Sequence, residues 1–367
     1  MYKLLNYLSM PYSTSLPKIL ISFFLVMYSA NSISETQPDI DKAVNSDDKL
    51  QTVPYITFRN KTGSKNASDY FGGGRSTAHA GYCELSNTSL TLLKPLAENS
   101  SFYIPEDIVK LEAIRETELD VLWKNVKDSS SGRTPTLYIH GFYVDFERGC
   151  RRASQFQKSV GLTGRFLFFS WPSDGAILNY TQDEADLYWS VEPLRQTLLD
   201  MNRHFGKGKS NIVAHSLGAR GTFLALVMMA QAEQVDKPLF NQVVLMAADI
   251  DAAIVKQYLP LIRSFAKNIT VYVSGNDKSL ALSRQVHGYP RLGESGDHLD
   301  GLTGITIIDV SDMPVRYPSG HVYHLYHKAV VNDLAQLLNE DKPPSQRSNL
   351  KKMSKNYWRL QPEKVEQ

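Results

Sequence analysis

Cys83 and Cys150 are the only cysteines in the 367-residue chain. Two thiols cannot form a zinc site alone. They allow at most one bridge, and the sequence leaves open whether they pair. An excess of one charge is also missing: 40 Lys and Arg against 38 Asp and Glu leave +2, too little for a strong pull toward nucleic acid or a membrane surface. No internal period recurs and no heptad pattern is sustained, which argues against solenoids and coiled coils. The one strongly apolar N-terminal run falls well short of the ~20 residues that span a bilayer. No cysteine lies near its exit, so the lipid-modified cysteine of a bacterial lipoprotein is not expected.

What is present suits a globular protein: 42% hydrophobic and 21% charged residues. Lys3 and Lys18 precede the apolar run Ile19–Tyr28, and the small residues Ser29-Ala30-Asn31-Ser32 follow. A basic start, a short apolar core and a small-residue exit predict a secretory signal over residues 1–32, with Met10 as an alternative start. The competing readings are an uncleaved membrane anchor and a buried first helix. Residues 33–53 are polar and acidic and read as a flexible leader; 341–367 are charged and proline-containing and read as a loose tail. The folded domain is expected over 54–340.

Within that domain, six short runs rich in β-branched and aromatic residues predict strands buried on both faces. They are Thr136–Ile139, Phe166–Ser170, Asn211–Ala214, Val243–Ala247, Ile269–Ser274 and Ile305–Val310. Helical stretches alternate with them: Cys150–Val160, Asp183–His204, Leu217–Gln234, Ala252–Ala266 and His324–Leu338. Alternation of this kind predicts an α/β fold, a mostly parallel central sheet flanked by helices. Upstream, YITFRN reads as a strand and FGGGRSTAHAGYCEL as a glycine-rich loop leading into the domain.

Ser216 stands at a sharp corner, in NIVAHSLGAR, between a strand and an apolar helix. An ordinary helix cap would use serine this way. A strained strand-to-helix elbow would too, exposing the hydroxyl as a nucleophile between two small residues, here Ala214 and Gly218. An early strand also ends in Ile139-His140-Gly141-Phe142, at the sheet edge where chemistry gathers in such folds.

These motifs together resemble the α/β-hydrolase superfamily, and within it a bacterial family formerly described only as a domain of unknown function. The resemblance rests on IHGFYVDF, FFSWPSDG, AHSLGAR, AADID, SGNDKSLALS, RLGESG and GHVY, in that order, with DYFGGGRSTAHAGYCEL as the lead-in. It covers about Tyr55 to Leu338. Tyr143 departs from it, standing where that family often has asparagine. The resemblance implies an oxyanion hole from the backbone amides of Phe142 and Leu217.

A serine nucleophile needs a base and an acid, in chain order Ser, acid, His. His321, in the loop before the last helix, is the expected base, and it matches the family's Gly-His segment with Asp333 at the family's spacing. Asp277 and Asp249 both follow strands at the edge that holds Ser216; Asp277, after the second strand beyond the serine, is the expected acid. Asp249 is then a pocket or helix-capping carboxylate. His140, read as structural rather than catalytic, joins Tyr143, Trp171 and Asp249 in the expected substrate pocket. His321, His324 and His327 have a spacing that imitates a zinc cluster, but packing or surface histidines are the expectation, and no metal or cofactor is implied.

The reading is an exported serine hydrolase, in the periplasm or outside the cell. It would act on a small-molecule or lipid ester or thioester, with no nucleic-acid partner and membrane association only through its N-terminus. The alternative is a catalytically silent α/β-hydrolase fold serving as a binding or scaffold protein of the cell envelope.

Overall fold

A computed structural model describes residues 50–89, 107–232, 237–315 and 317–362. The expected signal and most of the expected leader lie outside these residues. Among the described residues no helix is long and apolar enough to cross a membrane.

In chain order the elements are β1 (Gln51–Lys61), β2 (Phe71–Ser89), β3 (Asp107–Thr117), α1 (Leu119–Ser130), β4 (Thr136–Ile139), α2 (Phe146–Val160), β5 (Phe166–Ser170), α3 (Tyr180–Phe205), β6 (Asn211–His215), α4 (Leu217–Ala232), β7 (Phe240–Met246), α5 (Ala252–Ile262), β8 (Ala266–Val273), α6 (Lys278–His287), β9 (Thr306–Asp309), α7 (Tyr323–Tyr326), α8 (Lys328–Glu340), β10 (Leu350–Lys352) and β11 (Tyr357–Leu360). One 11-stranded sheet runs in the order β10-β11-β9-β8-β7-β6-β4-β5-β1-β2-β3. Pairing is parallel from β11 through to β1, and antiparallel at the edges, between β10 and β11 on one side and among β1, β2 and β3 on the other.

Strands β4, β6 and β7 are largely apolar because helices cover both faces. Leu137, Ile139, Ile212, Ala214, Val243 and Leu245 point to one core, with residues of α1, α3, α4 and α5. Their chain neighbours Tyr138, Val213, Val244 and Met246 point to the other, with residues of α2, α6 and α8. This period of two is the ordinary alternation of a strand, and burial on both sides is why both sets are apolar.

Three expectations are corrected. FGGGRSTAHAGYCEL is strand, part of the 19-residue β2 paired to β1 and β3, because sheet pairing outweighs glycine's preference for loops. The charged stretch after residue 340 is no loose tail: β10 and β11 form a hairpin, and β11 pairs in parallel with β9. Its anchor is Arg347, whose Nη1 donates to Asp333 Oδ2 at 2.8 Å with both side chains fully buried. Likewise the expected leader overlaps β1, which begins at Gln51. Cys83 of β2 and Cys150 of α2 form a disulfide, Cα–Cα 6.1 Å, fastening the outer hairpin to the helix layer.

Candidate active site

Ser216 lies between β6 and α4 with φ +54°, the left-handed region that a non-glycine residue occupies only under constraint. The constraint is visible in the backbone. Ser216 N–H donates to Met246 O at 3.0 Å, and Ser216 O accepts from Ala219 N at 3.0 Å and Asp249 N at 3.3 Å. Gly218 has no substitute: a Cβ there would run into the His140 carbonyl oxygen and lie 2.9 Å from Ile139 Cγ2. The corner is thus an elbow rather than an ordinary helix cap, and the helix N-terminus directs its partial positive charge at Ser216.

His321 comes to this corner from the loop before α7. Its carbonyl accepts from His215 Nε2 at 3.0 Å, and the two rings are 4.6 Å apart. The carbonyl partner requires the proton on Nε2 of His215. Burial, then the neighbouring His324 and His321 rings, push the His215 pKa well below its usual value, so that imidazole stays neutral. His215 was not singled out from the sequence, although its place beside Ser216 was the available signal.

Asp277 is the carboxylate within reach of His321: its Oδ2 lies 2.7 Å from His321 Nδ1. Asp249 faces elsewhere. Its carboxylate accepts from Ser283 Oγ at 2.6 Å, Tyr180 Oη at 3.1 Å and Arg291 Nε at 2.7 Å, and it pairs with Arg220 at 3.2 Å. Burial raises its pKa, but Arg220 and Arg291 outweigh that and hold it at about 2. It does not cap a helix either; Asp251 caps α5 through Ala253 N at 2.7 Å. The lone Arg220 inside the apolar run of α4 was the sequence sign of this buried network. Asp333, at the spacing the resemblance implied, serves Tyr272 and Arg347 instead of His321.

The expected pocket residues also move. His140 and Trp171 are each 0% exposed and stacked on one another at 5.0 Å. Trp171 Nε1 donates to His140 O at 2.8 Å. Burial and the nearby Arg59 charge depress the His140 pKa well below normal and keep the ring neutral; Nδ1 lies 2.8 Å from Gly141 O and Nε2 3.2 Å from Trp171 O. Neither ring meets solvent, so neither lines a pocket; they form a layer beneath the Gly141–Tyr143 turn. Tyr143 is half-buried at that turn with φ +61°. His324 is buried behind His215, ring to ring 4.4 Å, and His327 stands at the N-terminus of α8. Among the described residues no His, Cys, Asp or Glu group could hold a metal ion.

A mostly parallel sheet covered by helices, with a strained serine where a central strand turns into a helix, defines an alpha/beta hydrolase. The chain belongs to the family described as "Alpha/beta hydrolase of unknown function (DUF900)", which matches residues 115–340. No curated protein matches it. Similar solved structures include an esterase of Pyrobaculum calidifontis, at 10% identity, TM-score 0.34, covering 90% of this chain and 94% of that one. Another is carboxyl esterase 2 of Tuber melanosporum, at 11% identity, TM-score 0.40, covering 86% and 96%. Esterase B of Lactobacillus rhamnosis is similar at 12% identity, TM-score 0.35, covering 86% and 90%.

Proposed function

We propose that the protein is an exported serine hydrolase cleaving a carboxylic ester or thioester through an acyl-enzyme on Ser216. The observation that carries this reading is the His321–Asp277 pair, 2.7 Å from Nδ1 to Oδ2, delivered to the strained corner of Ser216. With Nδ1 engaged by the carboxylate, His321 keeps Nε2 for the serine. It takes the proton from Ser216 Oγ as that oxygen bonds to the substrate carbonyl carbon. The amides of Phe142 and Leu217 receive the resulting oxyanion. Collapse expels the alcohol or thiol, protonated by His321, and water repeats the sequence to release the acid.

Export is supported by the basic and apolar N-terminal run and by the Cys83–Cys150 bridge, which persists in oxidising compartments. The test is labelling with a fluorophosphonate probe, followed by a panel of p-nitrophenyl esters. Wild type should be labelled and Ser216→Ala should not. Equal labelling of the two proteins, or none in either, removes the serine mechanism; absence in both with an intact fold favours the silent envelope scaffold.

A further inference from the structure

Among the fully buried polar side chains that the triad does not use are Arg59 of β1, Ser173 after β5 and Asp183 in the first turn of α3. They converge on the turn Gly141–Val144, which follows β4 and carries the Phe142 amide. We propose that Arg59, Ser173 and Asp183 are positioning residues that hold this turn in the conformation that presents the oxyanion donor. The inference rests on the hydrolase reading above.

Two successive amides of the turn are held by one pair of side chains. Tyr143 N–H donates to Asp183 Oδ2 at 3.3 Å, and Val144 N–H donates to Ser173 Oγ at 3.1 Å. Ser173 Oγ in turn donates to Asp183 Oδ2, at 2.5 Å, while Asp174 N–H occupies Oδ1 at 3.1 Å. The Val144 carbonyl is taken from the other side by Arg59 Nη2 at 2.7 Å. The same guanidinium reaches Ser173 O, Gly72 O at 3.3 Å and Ser170 Oγ at 2.9 Å. One side chain from the N-terminal strand therefore ties together β2, the end of β5 and the turn.

The turn needs holding. Tyr143 has φ +61°, a conformation an L-residue keeps only when its surroundings impose it. Its neighbour Phe142 supplies the amide that must meet charge developing in the transition state, and an oxyanion donor works only when it is already in place. The arrangement is also costly. Burial, joined by the Asp174 charge, pushes Asp183 up to about 6 against the pull of its hydrogen bonds, and burial lowers Arg59 to about 10 against the pull of the carboxylates around it. A core selected for stability alone would place apolar side chains here.

The clamp accounts for two motifs outside the triad. The WPSD segment supplies Ser173 and Asp174. The FGGGR stretch lets β2 lie against that segment, since a Cβ on Gly73 would fall 2.6 Å from Asp174 Cβ and 2.7 Å from its Cα.

The test compares wild type with Ser173→Ala and Arg59→Lys, both retaining most of the local volume. Active sites are counted by fluorophosphonate titration, and kcat and KM are measured with p-nitrophenyl acetate. Affinity is measured for a trifluoromethyl ketone, which adds to the serine as a tetrahedral oxyanion. In each variant kcat per titrated site should fall roughly 10- to 100-fold, below the ~10²–10³ lost with an oxyanion donor itself. KM should stay near wild type, and ketone affinity should fall in parallel with kcat. If Arg59→Lys does not fold, Ser173→Ala decides alone. Unchanged turnover and ketone affinity per titrated site, with only a lower melting temperature, would overturn the clamp. A wild type that takes up no fluorophosphonate refutes the hydrolase reading and the clamp with it.

Discussion

The two carboxylate oxygens of Asp277 serve different partners: Oδ2 meets His321 Nδ1 at 2.7 Å, and Oδ1 accepts from Leu280 N at 3.0 Å as the N-cap of α6. The helix thereby fixes the carboxylate before any substrate arrives, and the carboxylate fixes the imidazole. Orientation of the His321 imidazole is built into a helix start.

Asp277→Asn should cut ester turnover by about 10⁴, the loss typical when a triad acid becomes an amide, while the amide still caps α6. Asp249→Asn should mainly lower stability, because Arg291 is left buried with an uncharged partner and Arg220 keeps only Glu184 as a counter-charge. Turnover and thermal melts on both variants check this. Reversed activity ranking would hand the acid's role to Asp249.

Asp249 also gives an acid-stability signature. Its folded pKa of about 2 lies below its ordinary 3.8. A depressed carboxylate contributes stability that is present above the unfolded pKa and lost as pH falls through the folded one. Between pH 5 and pH 2 wild type should lose about 2 kcal/mol that Asp249→Asn does not lose. Urea unfolding of both proteins across that range measures the difference; parallel pH curves would contradict it.

The bridge between Cys83 and Cys150 spans a sequence separation of 67 residues. In the chain-entropy account, closing such a loop is worth roughly 4 kcal/mol. Reduction, or paired replacement by alanine, should lower the denaturation midpoint accordingly. Thiol titration of the unfolded, unreduced protein should find no free thiol, and two would rule the bridge out.

Removing Arg347 leaves the Asp333 carboxylate and Tyr272 hydroxyl buried without their cation. Arg347→Ala should destabilise by about 3–5 kcal/mol, the usual consequence of halving a buried pair. A chain ending at residue 342 should fare worse, since it also uncovers the β9 edge that β11 occupies. Circular dichroism melts that show either protein as stable as wild type would return the segment to the status of a tail.

The parallel core was legible in the residues themselves. Strands such as FLFFS and NIVAH are short and buried on both faces, so local composition carries their identity. The serine corner was legible for the same reason: small residues on either side of Ser216 report crowding that is local in the chain. His321 followed from its place before the last helix.

What the tertiary structure decided were the partnerships between distant residues. YWRL and FGGGR look unlike core strands because one is charged and the other glycine-rich; both become strands because a neighbouring strand offers its free edge, a condition no local pattern encodes. Which of Asp277 and Asp249 meets His321 depended on the fold: Asp277 lies 2.7 Å from it, and Asp249 is already paired with two arginines. Cysteine pairing needed a Cα distance. The buried charges Arg59 and Asp183 come from elements more than 120 residues apart in sequence. The sequence by itself determined the parallel core of the sheet and the serine corner and offered candidate site residues, since those follow from short-range periodicity and crowding. Only the folded chain decided which of them touch, because a buried charge is tolerated wherever its partner arrives, and that partner comes from anywhere in the sequence.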